Sequence, residues 1–187
     1  MFFNSHKKKG REAGNTALNI IIKKSFIGTK YFDDVTFSPP SNFYEDKYIR
    51  GFITNYLDLL RMFAFNGKGW SVTKKGEFLL EAFNIIDPTN TLKNKHMEMA
   101  MDINIALEFR DNVKSRQGYE DSTSFVAIAY NKLKPDDPDP IIVEARKLAP
   151  KLAEQNENLG VTGNENEHLA TAIYMLTFYK YVREIWN

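Results

Sequence analysis

The chain has 187 residues, of which 43% are hydrophobic and 26% charged, the size and balance of one large globular domain or two small ones with a real core. It contains no cysteine, which excludes disulfides and thiol chemistry and fits a reducing cytoplasm. The net charge of +1 conceals an asymmetry, because thirteen cations face six acids through residue 76; the front is about +7 and the remainder about −6. Such a split points to polyanion contact in front and self-association or regulation behind.

Residues 1–12 carry Lys7, Lys8, Lys9 and Arg11 without the apolar run of a secretion signal, and they read as a mobile basic arm. Asn15 or Thr16 can cap a helix through Phe26, with Gly28 as its stop. Tyr31 to Phe37 reads as a short strand or an ordered loop ended by Pro39-Pro40. A long helix starts at Ser41 or Asn42, with Glu45 in capping-box position. Its apolar side is Tyr48, Ile49, Phe52, Ile53, Tyr56, Leu57, Leu60 and Phe63, and Gly51 either sits within it or separates two helices. Asn66-Gly67-Lys68-Gly69 between apolar segments is a hairpin signal; Trp70-Ser71-Val72 returns, and Thr73 caps a helix that Asp87-Pro88 ends.

Residues 97–109 alternate apolar and polar side chains, the pattern of a strand, but are rich in Met, Ala, Leu and Glu; a central helix is the expectation. Gly118 marks a break, after which Asp121 or Ser122 caps a helix through Lys132. Lys134 to Pro140 is a stiff acidic linker, and Asp139 with Pro140 opens a helix that Pro150 should kink or end. The last helix opens with an Asn164/Glu167 capping box and runs to about Trp186, apolar on two stripes and therefore buried on more than one side. Its most apolar stretch, Leu169 to Phe178, falls far short of the ~20 residues of a membrane span, so a cytoplasmic protein with no membrane partner is expected.

Trp70-Ser71-Val72-Thr73-Lys74-Lys75-Gly76 leading into Leu79-Leu80 resembles the end of a winged-helix DNA-binding domain, where a wing strand finishes as aromatic-x-aliphatic-Thr-x-x-Gly before a helix with paired leucines. The resemblance covers residues 41–87 with the preceding helix. It implies that this helix enters a major groove while the wing touches the backbone. Arg50, Thr54, Asn55 and Arg61 would then face bases or phosphates, and Lys68, Lys74 and Lys75 would neutralise phosphate.

Other chemistry finds less support. Glu165-x-x-His168 has one half of a di-iron spacing but no second copy, since His96 has Lys93 in the corresponding place. Asp136 or Asp137 with Glu144 and Arg146 faintly resembles a Mg²⁺ nuclease pattern, but on a helical rather than a strand-like stretch. No catalytic residue, metal site or cofactor is expected.

The fold class that follows is mostly α. A winged-helix-like helical and hairpin part over 13–90 is joined to a helical bundle over 91–187, as two parts or as a single domain. The functional expectation is a non-enzymatic DNA-binding protein of the transcription-regulator kind. It would bind duplex DNA and form a homodimer through the C-terminal helix. The alternative is a helical protein–protein interaction module of adaptor, accessory or immunity type; a Mg²⁺-dependent nuclease stands third.

Overall fold

The computed structural model describes residues 5–33, 37–88, 112–159 and 162–186. Six helices lie among them. Helix α1 runs without interruption through Ser5–Thr16, a π-helical stretch Ala17–Ile22 and Lys23–Phe26, with the Lys23 N–H bonded five residues back to Leu18 O. Then come α2 (Lys47–Phe63), α3 (Val72–Ile86), α4 (Val113–Ala129) and α5 (Pro140–Asn158). Helix α6 is Glu165–Tyr174, a second π-helical stretch Met175–Tyr179, and Lys180–Trp186. The expected helix over 97–109 lies outside the described residues.

The basic run is part of a helix, where a mobile arm was expected. Residues 5–12 belong to α1, which lies along α3 so closely that a Cβ on Gly14 would stand 2.6 Å from the Ala82 carbonyl oxygen. Gly10 meets the Phe78 carbonyl in the same way. The charges pair across this contact: His6 and Lys7 with Glu77, the latter at 3.5 Å, and Arg11 with Glu81 at 3.6 Å. Hydrogen bonding from His6, reinforced by Lys7, holds the Glu77 carboxyl below the usual range against the opposing effect of desolvation. Lys9 donates to Phe65 O at 3.1 Å and lies over the Trp70 ring, which is edge-on to Phe78.

Helix α2 is the centre of the molecule. Asp46 caps it by accepting from Ile49 N at 3.1 Å, so it begins after a 3-10 turn over Phe43–Glu45 and not at Asn42. Gly51 does not divide it. A Cβ there would stand 2.9 Å from Ser115 C, and one on Gly118 would stand 2.8 Å from Phe52 N, so α2 and α4 touch backbone to backbone. Gly118, expected to break the chain, is therefore a contact point inside α4, whose cap is Asn112. Polar bonds fasten the crossing. Asn55 Nδ2 lies 2.9, 2.7 and 2.8 Å from Tyr119 O, Ser122 Oγ and Thr123 Oγ1, and Ser115 Oγ donates to Lys47 O at 3.1 Å.

The hairpin and its wing are absent: among the described residues there is no β-strand, only an isolated antiparallel bridge between Phe32 and Phe37. The winged-helix resemblance fails with it. Asn66 is left-handed (φ 52°) but ends α2 instead of turning a hairpin, and Gly67 N–H returns to Arg61 O at 2.8 Å. Ser71, not Thr73, caps α3.

Aromatic side chains fill the main core, which draws on both ends of the chain from Ala13 to Trp186. Phe52 meets Phe178 at 4.6 Å, Tyr48 stacks on Tyr181 at 4.0 Å, and Trp186 packs edge-on against Phe43. A smaller cluster joins Ile128, Ile142, Ala145, Leu169 and Ile173 of α4, α5 and α6. Asp139 and the Asn164/Glu167 capping box open α5 and α6 as expected. Pro150 stays inside α5; it and Arg146, whose carbonyl loses a helical donor, are exposed, where water replaces the bond. Among the described residues no helix is long and apolar enough to cross a membrane.

Candidate nucleic-acid interface

The residues expected to contact nucleic acid separate into two groups. Thr54 and Asn55 are 4% exposed and Arg61 is 5% exposed, so they belong to the packing of α2. Arg61 donates from Nε to Asp58 Oδ1 at 2.8 Å and from Nη1 to the Gly67 carbonyl, binding the turn after α2 to its last helical turn. Arg50 is half-buried on the same helix. A helix whose residues 51–57 are all buried has no free face to lay in a major groove. Lys75 is half-buried and pairs at 3.6 Å with the Asp58 that Arg61 holds. Lys68 and Lys74 are exposed.

Lys68 leads to the site. It follows the turn after α2, and its Nζ lies 5.8 Å from the centroid of the Phe63 ring. Lys132, in the turn after α4, brings a second ammonium to 5.5 Å from the same centroid. The α2–α4 crossing brings the two helix ends together: Phe63 closes α2, and Tyr130, the C-cap residue of α4, stands 6.1 Å from it between ring centroids. These residues, with Met62 and Asn66, line a cavity of about 270 Å³, and among the described residues its lining holds no carboxylate. Burial raises the Tyr130 phenol pKa, so at neutral pH its hydroxyl keeps its proton. Two cations therefore converge on an aromatic wall with no anion among the described lining residues. Cation–π attraction holds each loosely, about 0.5–1 kcal/mol at an exposed ring, and an incoming anion can recruit both.

Sequence reasoning found Lys68 but missed Lys132, Phe63 and Tyr130, which come from segments nearly seventy residues apart. The one local signal was a Tyr-x-Lys at a helix end.

Among the described residues the remaining ionisable groups do not gather into reactive sets. Asp121 is buried, accepting from Tyr48 OH and Gln117 Nε2, both at 2.8 Å. Burial holds its carboxyl above the usual range although both hydrogen bonds oppose this. Glu144 pairs on the exposed face of α5 with Lys147 at 2.7 Å, and Arg146 donates to Asp137 O at 3.3 Å. Among the described residues no group of three or more His, Asp or Glu side chains is placed to hold a metal ion. Compared with known protein families, curated proteins and solved structures, the chain matches none of them.

Proposed function

We propose that the protein binds nucleic acid without enzymatic chemistry, at the cavity between the ends of α2 and α4. The observation that carries this reading is the convergence of Lys68 and Lys132 on Phe63, beside Tyr130, with no carboxylate among the described lining residues. Lysines neutralise phosphate, and an aromatic wall accepts the face of any base, at about 1–3 kcal/mol per stacked base. Such a wall reaches a base only when it is out of a duplex, so a single strand or a frayed end is the ligand. Lys74 is exposed in the first turn of α3.

Anisotropy of labelled single-stranded and duplex oligonucleotides, at two salt concentrations, tests the reading. Single strands should bind more tightly, with a salt slope that falls by about 0.7 for each lysine lost. Lys68→Ala and Lys132→Ala should both weaken binding, while Lys151→Ala on α5, outside the cavity lining, should not. Binding indifferent to salt, or unchanged in the Lys68/Lys132 double variant, refutes it.

A second reading is homodimerisation through the C-terminal helix, favoured by Ile185, which remains 46% exposed on α6. It predicts a concentration-dependent mass by light scattering that Ile185→Glu reduces to that of a single chain.

A further inference from the structure

Helices α1 and α6 meet where each becomes π-helical, and the groove between them encloses about 400 Å³. A π turn carries an extra residue, which widens the helix and frees backbone groups from the ordinary ladder. Here the Ile21 carbonyl is satisfied within the floor. Tyr174 OH donates to Ile21 O at 2.9 Å, Ser25 Oγ donates to the same carbonyl at 2.9 Å, and the two hydroxyl oxygens are 2.7 Å apart. Above this closed triangle the walls are Ile20, Ile27, Phe125, Met175 and Tyr179. Ile20 is 47% and Ile27 56% exposed, two large aliphatic side chains in solvent on one rim. They lie roughly 10 Å apart along the helix, so the apolar floor is elongated rather than round.

Two cations stand at this groove. Lys24 stands on the rim between the two isoleucines. Arg183 closes one end, donating to Ile27 O at 3.1 Å with its guanidinium 5.8 Å from the Tyr179 ring centroid. Among the described residues no acidic side chain lines the groove. A long apolar trough with a satisfied floor and a cationic rim matches one ligand chemistry, a hydrocarbon chain ending in an anion.

We propose that the α1–α6 groove is a binding site for a single-chain alkyl carboxylate, a free fatty acid. Its chain lies between Ile20, Ile27, Met175 and Tyr179, and its carboxylate is held by Lys24 in the field of Arg183. The site shares no lining residue with the lysine–aromatic cavity, although Phe125 of α4 walls it, and it does not depend on the nucleic-acid reading.

Isothermal titration of the full chain with octanoate, decanoate and dodecanoate, each below its micelle concentration, tests the proposal. One molecule should bind per chain, with affinity rising up to about fourfold per added methylene until the groove is full. Decanol should bind severalfold more weakly than decanoate, and decyltrimethylammonium more weakly again. Lys24→Ala should weaken decanoate severalfold and leave decanol unchanged. Ile20→Glu places an anion at an exposed position without disturbing the core, so it should abolish carboxylate binding while the circular dichroism spectrum and melting temperature stay those of the parent; Ile27→Ser should weaken binding independently. Affinity that ignores chain length, equal binding of the cationic amphiphile, or undiminished binding by Ile20→Glu overturns the proposal. So does sedimentation showing a ligand-free dimer that Ile20→Glu dissociates, because the groove would then belong to a second copy.

Discussion

Replacing Gly51 by Ala is the sharpest test of the architecture, because local and tertiary terms oppose each other there. Inside a helix, Ala is favoured over Gly by about 1 kcal/mol, so a helix that was merely exposed would gain stability. At this position the added carbon would stand 2.9 Å from Ser115 C and 3.0 Å from Ser115 Cα, and closer still to the Ser115 carbonyl oxygen. Ordinary contact begins at 3.4 Å, and the obstacle is backbone, which has no rotamer to change. Relief requires α2 and α4 to separate by roughly 1 Å, which forfeits a quarter to a half of each close contact along the crossing. It also stretches the bonds from Asn55 to α4 and from Tyr48 to Asp121. Overpacking of this kind costs about 1–3 kcal/mol, and a rigid obstacle with stretched polar bonds puts it at or beyond the upper end. After the propensity gain, a net loss of about 2 kcal/mol remains, or about 4–8 °C in melting temperature for a chain of this length. Urea denaturation and calorimetry measure it. Gly69→Ala, with no atom near its added carbon, is the control and should change little. Gly51→Ala and Gly118→Ala should cost less together than the sum of the two, since the first already parts the helices. A Gly51→Ala protein that melts at or above the parent refutes the crossing.

Three further outcomes follow from the same contacts. Arg61→Met removes the donor to the Gly67 carbonyl and one partner of Asp58, costing about 1–3 kcal/mol in urea denaturation; because a single ammonium cannot reproduce both bonds, full rescue by Arg61→Lys would contradict this account. Tyr174→Phe removes the hydroxyl that bridges Ser25 and Ile21 O, at a cost of about 1 kcal/mol since Ser25 still donates to that carbonyl; a neutral thermal melt would refute it. Asp121 has its pKa raised by burial above its ordinary 3.8, so the folded chain holds the proton more tightly than the unfolded chain. Its contribution is greatest below the unfolded value and is lost as pH rises through the folded one. Urea midpoints between about pH 4 and about pH 7 should therefore fall in the parent relative to Asp121→Asn, and parallel curves would show that this carboxyl is not the source.

What the sequence made legible was local. The Asn164/Glu167 box and the Asp139-Pro140 start each require only neighbours along the chain, and both open helices in the fold. Signals that depend on distant partners were misread. Gly118, Asp121 and Ser122 look like a helix boundary, yet with Ser115 they form the packing face of α4 against α2, small and polar where periodicity rules look for apolar residues. Asn66-Gly67 suits a hairpin and a left-handed helix end equally, because both need a residue tolerant of positive φ. Lys7 and Arg11 read as parts of a loose arm because Glu77 and Glu81, their counterions, lie about seventy residues away. The same distance separates the halves of the lysine–aromatic cavity. Lys68 was visible as a cation beside a turn, whereas its relation to Lys132 exists only through the α2–α4 crossing.

The two tryptophans give this molecule a pair of built-in reporters. Trp70 sits under Lys9 and against Phe78, where α1 grips α3. Trp186 donates to Asn42 Oδ1 at 3.2 Å and packs on Phe43, where the end of α6 meets the turn before α2. Their indoles thus watch separate seams of one core. With one indole replaced by Phe in each of two single-tryptophan proteins, superimposable emission transitions in urea mean that both seams open in one cooperative event, and displaced transitions resolve which seam opens first.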